Sequence, residues 1–247
     1  SIAQVEQKKL EEIQQSQMVA GNADSTITVL NEDSLRQVQM KEAFGIFSDF
    51  TTGENEKINL KNDLVSLSFS SKGGALTEAT LNKYKTHDSL PLTLFDEKDN
   101  EYGFIFKTGG RIVNTTDLFF KPIAGKDGKS VTMRLDFGNG KFFDLVYTLP
   151  EDSYMVKMDI RQKGMETILP GNTASLDLFW NQNLRSQEKG RMFEERNSAL
   201  YYKFVGSDVD HLSESKDEQE TISLGLKWIG YKNQFFSSAL IPDGKFN

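Results

Sequence analysis

Few side chains in this sequence have the type and the spacing that chemistry requires. The chain has two histidines, His87 and His211, and no cysteine. Catalysis by a serine needs a histidine base held by a carboxylate and a strained turn that presents the nucleophile, and the sequence has no G-x-S-x-G turn. Without cysteine, thiolate zinc sites, disulfides and cysteine nucleophiles are excluded. We therefore predict no catalytic residue, no metal site and no cofactor.

The segment 125–130 ends in Gly-Lys-Ser, as does the phosphate-binding loop of many nucleotide-binding proteins. That motif requires a glycine where this chain has Ile123. It also requires a following helix, whereas Val131 begins the alternation of a strand. We interpret the segment as a hairpin turn.

Two runs of acidic side chains offer oxygen atoms of the kind that calcium prefers. They span residues 96–101 and 208–220, and neither has the glycine-centred spacing of a calcium-binding loop. Charge runs of this kind are usually solvated. We predict a solvated turn for the first run and a mobile, solvated loop for the second.

Most of the remaining chain has the two-residue period of β-strands. Apolar and polar residues alternate over 131–137, and the Gly-Asn-Gly turn at 138–140 then predicts a hairpin. The same alternation recurs at 64–69, 143–149, 154–160 and 176–180. Successive alternating strands joined by short turns predict an all-β fold of antiparallel sheets with one solvated face.

The N-terminal part is polar and less regular. We predict a partly helical tether and linker over residues 1–55, including a helix from Asp33 or Ser34 to about Phe47. The compact β domain is then predicted over residues 56–247. Within it, residues 181–220 are predicted as long loops or as an excursion over the sheet, because they are polar or acidic.

Composition also limits the partners. The net charge of −7 argues against a general nucleic-acid binder and gives no reason to expect adhesion to anionic lipid. The sequence has no run of about 18 apolar residues, the length that a membrane span needs. Contact with a membrane is therefore predicted only through parts of the protein outside this chain.

Three stretches of the sequence resemble the large periplasmic domain of the YidC-type membrane-protein insertases of Gram-negative bacteria, with the closest likeness to the Bacteroidetes branch. They lie at residues 62–74, 81–96 and 228–242, and their order and spacing agree with the family. The signature positions in them, which we expect to be structural, are Asn62, Asp63, Leu64, Gly73, Gly74, Tyr84, Trp228, Phe235, Phe236 and Pro242.

This resemblance implies a twisted β-supersandwich, similar to the galactose-mutarotase-like folds, with a short helical or extended N-terminal segment. It implies a tether after a first membrane helix, and a domain that is incomplete at Asn247 because the family usually continues beyond Ile241 and Pro242. The domain would lie at the periplasmic face of the bacterial inner membrane. Its partners would be SecDF and SecYEG translocon components and nascent membrane proteins, and its role would be non-catalytic.

A composition shift near the end of the polar region suggests where partners bind. We expect a partner surface at Asn197, Tyr201, Tyr202, Phe204, Asp208, Asp210 and His211. Two other functions stay open at this point. One is a carbohydrate-binding or mutarotase-like module, which requires an open aromatic cleft, and the other is a spacer with no specific ligand.

Overall fold

The computed structural model describes residues 32–166 and 176–247. The chain divides by its internal contacts into a unit of residues 1–39 and a compact unit of residues 40–247. Helix α1 covers Glu32–Phe44 and a 3-10 helix follows at Gly45–Phe50. The predicted helix is therefore confirmed, although its last turns are 3-10 rather than α-helical. Within the described ranges, no helix is long and apolar enough to cross a membrane.

The compact unit is built from antiparallel strands, which confirms the predicted all-β fold. The strands are β1 (Lys57–Lys61), β2 (Val65–Ser70), β3 (Ala75–Lys85), β4 (Pro91–Phe95), β5 (Asn100–Thr108), β6 (Arg111–Asn114), β7 (Lys121–Ala124), β8 (Ser130–Gly138), β9 (Lys141–Thr148), β10 (Lys157–Lys163), β11 (Asp177–Gln182), β12 (Ala199–Phe204), β13 (Val209–Ser213), β14 (Leu226–Lys232) and β15 (Ser237–Leu240). A short helix α2 lies at Arg191–Asn197 and a second 3-10 turn at Thr115–Asp117.

These strands form four sheets. The first has the order β1-β2-β3-β4, the second β10-β9-β8-β7, the third β11-β5-β6 and the fourth β13-β12-β14-β15. In these first two sheets the apolar residues of the central strands β2, β3, β8 and β9 lie on a buried face. Val131, Met133 and Leu135 of β8 have no exposed surface, and Phe143 and Leu145 of β9 are at most 1% exposed. The two-residue period read from the sequence is thus the burial pattern of the core.

Part of the predicted tether lies in that core. Phe47, in the 3-10 helix after α1, has no exposed surface, and its ring stacks on Phe106 of β5 at a centroid distance of 4.8 Å. Phe50 packs edge-on against Phe137 at 4.9 Å. The domain boundary at residue 56 stays a prediction, and this packing favours a start of the compact unit before Phe47.

The prediction of long loops over residues 181–220 is wrong. Helix α2 and strands β12 and β13 lie in this range, and β12 pairs on one side with β13 and on the other with β14. The alternation of Leu200, Tyr202 and Phe204 is typical of a strand, whereas the acidic residues that follow it are typical of a solvated loop. Likewise, the predicted strand at 154–160 begins only at Lys157. The hairpin turn at 125–130 is confirmed, because the Gly125 amide donates to the Ser130 carbonyl at 2.8 Å.

The signature Gly73 and Gly74 form the turn between β2 and β3, and both have positive φ angles, of 83° and 62°. The Gly74 carbonyl accepts a hydrogen bond from the buried Tyr147 hydroxyl at 2.8 Å. Tyr147 in turn contacts the Tyr102 hydroxyl at 2.7 Å, and the Leu76 amide donates to Tyr102 at 2.9 Å. This chain of hydrogen bonds joins the turn to β5 and β9, which gives the glycine pair a structural role.

Asn62 joins two turns. Its side-chain oxygen accepts hydrogen bonds from the amides of Leu64 and Val65 at 2.9 and 2.8 Å. Its side-chain nitrogen donates to the carbonyls of Pro150 and Ser153 at 2.7 and 2.8 Å. Because all of its hydrogen-bonding groups have partners, Asn62 locks the β1–β2 turn against the segment between β9 and β10.

The outer edge of β4 is covered by the segment 183–190. The Gln187 side chain donates to the Thr93 carbonyl at 2.8 Å, and the Arg185 guanidinium pairs with Asp96 and Asp99 in the β4–β5 turn. The buried Glu194 carboxylate of α2 holds the same segment, since it accepts a hydrogen bond from the Gln187 amide at 2.8 Å. The turn at 96–101 is therefore not fully solvated as predicted, because two of its carboxylates pair with Arg185.

The buried tyrosines make stability depend on pH at the alkaline end. Burial, offset in part by the hydrogen bonds from Leu76 and to Tyr147, raises the pKa of Tyr102 to about 12, and burial raises the pKa of Tyr147 as well. A phenol whose folded pKa is raised stabilises the fold fully below its unfolded pKa of about 10, and this contribution is lost as the pH rises towards 12. We expect the free energy of unfolding, measured by urea titration, to fall between about pH 10 and pH 12, and to fall less steeply in Tyr102→Phe. Equal slopes in both proteins would contradict this assignment.

Candidate partner-binding surface

The fourth sheet, which contains most of the predicted partner residues, has two unlike faces. Tyr201 of β12 stands between His211 of β13 and Gly230 of β14, and residues paired in this way point to the same face. Tyr202 stands between Asp210 and Ile229 and points to the other face. The predicted set is therefore divided between the two sides of one sheet.

The face that holds Tyr201 carries an aromatic and cationic cluster, the Tyr201 cluster, made of Tyr201, His211 and Lys232. The Tyr201 and His211 rings stack at a centroid distance of 5.2 Å with an angle of 20° between their planes. The Lys232 ammonium lies 5.7 Å from the centre of the Tyr201 ring, within the range of a cation–π contact. The His211 side chain is 52% exposed, so a partner can reach it.

The opposite face is directed into the protein. Tyr202 is 1% exposed, and its hydroxyl donates to the Glu220 carboxylate, which raises the pKa of Tyr202 to about 12. Phe204 packs edge-on against Tyr202 at 5.5 Å. Neither ring of this pair is placed to meet a partner, because burial of Tyr202 comes from its own chain.

The three remaining predicted residues lie beside the Tyr201 cluster. Asn197 ends helix α2 and donates from its side chain to the Phe193 carbonyl at 2.7 Å. Asp208 is exposed just before β13, and within β13 the Asp210 carboxylate accepts a hydrogen bond from the His211 amide at 2.8 Å. The two aspartates form an acidic border next to His211.

Sequence reasoning missed Lys232, although this residue alternates with Trp228 and Gly230 in the signature stretch 228–242. Trp228, Gly230 and Lys232 alternate along β14, and their partners on β12 are Lys203, Tyr201 and Ala199. Gly230 is buried, and a side chain there would come within 3.0 Å of the Ser238 carbonyl and 3.2 Å of Ala239. The glycine thus lets β15 approach β14 closely beside the Tyr201 cluster.

A cleft of about 500 Å³ lies away from this sheet face, between the β2–β3 turn and the ends of β5 and β11. Most of the residues that line it are of polar types, and the one aromatic residue among them, Tyr102, is buried with its hydroxyl engaged by Tyr147 and the Leu76 amide. In the described part of the chain, no three histidine, aspartate or glutamate side chains are arranged to hold a metal ion. This cleft therefore lacks the aromatic platform that the carbohydrate-binding alternative requires.

The fold and the signature turns agree with a known class of domain. The family model of the YidC periplasmic domain matches residues 57–247. The chain belongs to this family, as the resemblance of its three signature stretches implied. The family membership does not favour the carbohydrate-binding alternative.

The relatives are named as insertases. The chain is 43% identical over all of its 247 residues to the membrane protein insertase YidC of Parabacteroides distasonis, of which it covers 39%. It is 37% identical over its whole length to the insertase of Phocaeicola vulgatus, covering 38% of that protein. It is 38% identical over 216 residues to the insertase of Porphyromonas gingivalis strain W83, which is 87% of this chain and 34% of that protein. The chain thus spans less than two fifths of these relatives.

Proposed function

We propose that this chain is a non-catalytic docking domain at the periplasmic face of the inner membrane, and that it supports membrane-protein insertion by holding a translocation partner. The partner we propose is SecDF or another component at the SecYEG translocon, together with the nascent membrane proteins that pass there. Membership of the YidC periplasmic-domain family supports the proposed location at the periplasmic face of the inner membrane. The remaining 61% of the length of the first relative would supply insertion itself.

The observation that carries the docking role is the Tyr201 cluster. Aromatic rings and cations on a flat sheet face provide contact area at low cost in side-chain entropy, which is why tyrosine is common at the centres of protein interfaces. The cluster is already ordered by the stacking on His211 and by the Lys232 contact. A partner would therefore bind a preformed surface.

The test must preserve the sheet. Deleting residues 197–216 would remove β12 and β13 and with them the fourth sheet, so its result would report folding rather than docking. We instead expect Tyr201→Ser with His211→Ser, in the full-length insertase, to reduce co-purification with SecDF from membranes by roughly tenfold, the loss typical of removing an interface anchor. The 247-residue chain with the same changes should keep its melting temperature to within a few degrees.

A matched control lies on the buried face of the same sheet. Tyr202→Phe removes the hydroxyl bonded to Glu220 and leaves the Tyr201 cluster intact. It should lower thermal stability yet leave co-purification with SecDF unchanged. Undiminished co-purification by the folded double variant would contradict docking through this face and would favour the spacer alternative.

A further inference from the structure

Strand β13 is an outer strand of the fourth sheet. It pairs with β12 on one side, and none of the described strands lies on its other side. An unpaired strand edge presents amide and carbonyl groups to which another chain can add. This edge borders the Tyr201 cluster, because His211 belongs to both. The backbone groups along the edge therefore decide whether the sheet can pair with another chain.

The hydrogen-bond pattern shows which amides of β13 point outward. The Glu214 amide donates to the Ser198 carbonyl at 3.3 Å, so these two residues form a pair of the hydrogen-bonded type. Hydrogen-bonded and non-hydrogen-bonded pairs alternate along an antiparallel ladder. In the register of β12 with β13, Ser213 and His211 therefore belong to non-hydrogen-bonded pairs. Their amides point away from β12, towards the open edge.

Both of these outward amides already have partners, and both partners are carboxylates. The His211 amide donates to Asp210 Oδ1 at 2.8 Å, and the Ser213 amide donates to Glu218 Oε2 at 2.9 Å. Hydrogen bonds to an ionised acceptor are stronger than bonds between neutral groups. An incoming strand would have to displace a carboxylate at each of the two positions before its own carbonyl groups could pair there.

The segment that supplies Glu218 is held against the sheet at two points. The Lys216 ammonium lies 2.6 Å from the Glu218 carboxylate, and this contact, followed by the Ser213 amide, lowers the pKa of Glu218 below its ordinary value. Glu218 is therefore ionised at neutral pH. Two residues further on, the Glu220 carboxylate accepts a hydrogen bond from Tyr202 of β12. This acidic run makes specific contacts, in contrast to the solvated loop that its composition predicts.

We propose that Asp210 and Glu218 block the open edge of β13 against pairing with a second copy of this chain. Two copies carry the same edge, and antiparallel pairing of like edges about a two-fold axis gives a closed dimer. Carboxylates on both edges would also repel each other in such a dimer. The role goes beyond docking, because it gives the acidic run a function of its own. It also keeps the border of the Tyr201 cluster free, since edge pairing would occupy it.

Removing both carboxylates from the 247-residue chain tests the proposal. Asp210→Ala with Glu218→Ala frees two outward amides and removes the repulsion between like edges. The dissociation constant of the dimer, measured by sedimentation equilibrium, should fall at least roughly tenfold relative to the chain without changes. The Asp210 side chain is 59% exposed, so the variant should keep its melting temperature to within a few degrees. Unchanged self-association of the folded variant would overturn the proposal.

The matched control is Glu97→Ala with Glu151→Ala. These carboxylates pair with the exposed Lys57 and Lys129, so the control loses the same amount of negative charge without freeing an amide of β13. It should self-associate no more strongly than the unchanged chain. An equal gain in both double variants would show that net charge alone keeps copies apart, and would overturn the proposal.

A single variant gives a local readout that needs no dimer. Glu218→Ala leaves Asp210 in place, and amide hydrogen exchange followed by NMR should become roughly tenfold faster at Ser213. Exchange should stay unchanged at Leu212, whose amide is directed towards β12. Unchanged exchange at Ser213 would overturn the proposal even if the double variant did not fold. None of these assays contains a translocation protein, so their results and that of the SecDF test are independent.

Discussion

Replacing Gly74 with alanine is expected to lower the free energy of unfolding by about 3 kcal/mol. The φ angle of 62° places this residue in the left-handed region, where a side chain costs about 1–2 kcal/mol. In addition, a Cβ atom would lie 2.9 Å from the Phe120 ring, which is 3% exposed and has little room to move. Urea unfolding of the 247-residue chain measures the loss.

Gly140→Ala separates the two causes. Gly140 has a similar φ angle, of 74°, but nothing lies within 4 Å of the position that its Cβ would occupy. This variant should lose only the cost of the backbone conformation, about 1 kcal/mol. If the two variants lost equal stability, the close approach of Phe120 would not be the reason for glycine at position 74.

The second large effect is expected at an ion pair between β8 and β9. Arg134 and Asp144 are directly opposite in the register, and the guanidinium holds both carboxylate oxygens at 2.8 and 2.7 Å. The Asp144 side chain is only 4% exposed. Arg134→Leu would leave this carboxylate buried without its cation, and we expect a loss of about 3 kcal/mol in the free energy of unfolding.

A double variant tests the reason for that loss. Arg134→Leu combined with Asp144→Leu removes the unpaired charge and leaves two apolar side chains opposite each other on the sheet. Such replacements are often nearly neutral, so the double variant should recover most of the stability lost by Arg134→Leu. A double variant less stable than Arg134→Leu would show instead that the pair itself stabilises the sheet.

Much of the fold could be predicted because its strands are half buried. Strand β8, which pairs with β9, buries one face and leaves the other partly exposed, so the alternation of Val131, Met133 and Leu135 with polar residues is visible in the sequence. The glycine-rich turn at 138–140 defines the hairpin between them. Local chemistry and tertiary environment agree there, which is the condition under which sequence patterns are informative.

Strands β12 and β13 of the fourth sheet and the position of Phe47 could not be predicted in this way. Strand β13 carries Asp210 and His211 and is stabilised by pairing with β12, a contact that no local pattern reveals. Phe47 lies in a short 3-10 helix, and the distant Phe106 and Phe137 help to bury it. Both depend on contacts between residues far apart in the chain.

The predicted partner residues lie mainly on β12 and β13, and their role in binding stays a prediction. The composition shift could not separate the outward Tyr201 from the buried Tyr202, because neighbouring residues of a strand face opposite sides. Which side is buried depends on packing by Glu220 and on the β-strand register, neither of which is visible locally. Lys232, 31 positions from Tyr201 in the sequence, joins the cluster only through the sheet.

The covered edge of β4 has a consequence for strand addition by other chains. Unfolded segments readily add to an open strand edge, which then acts as a template for aggregation. At β4 the Gln187 side chain occupies the Thr93 carbonyl, and the ion pairs of Arg185 keep the covering segment in place. The Thr93 carbonyl is therefore already engaged by the protein's own chain, which hinders the addition of another strand at this position of the edge.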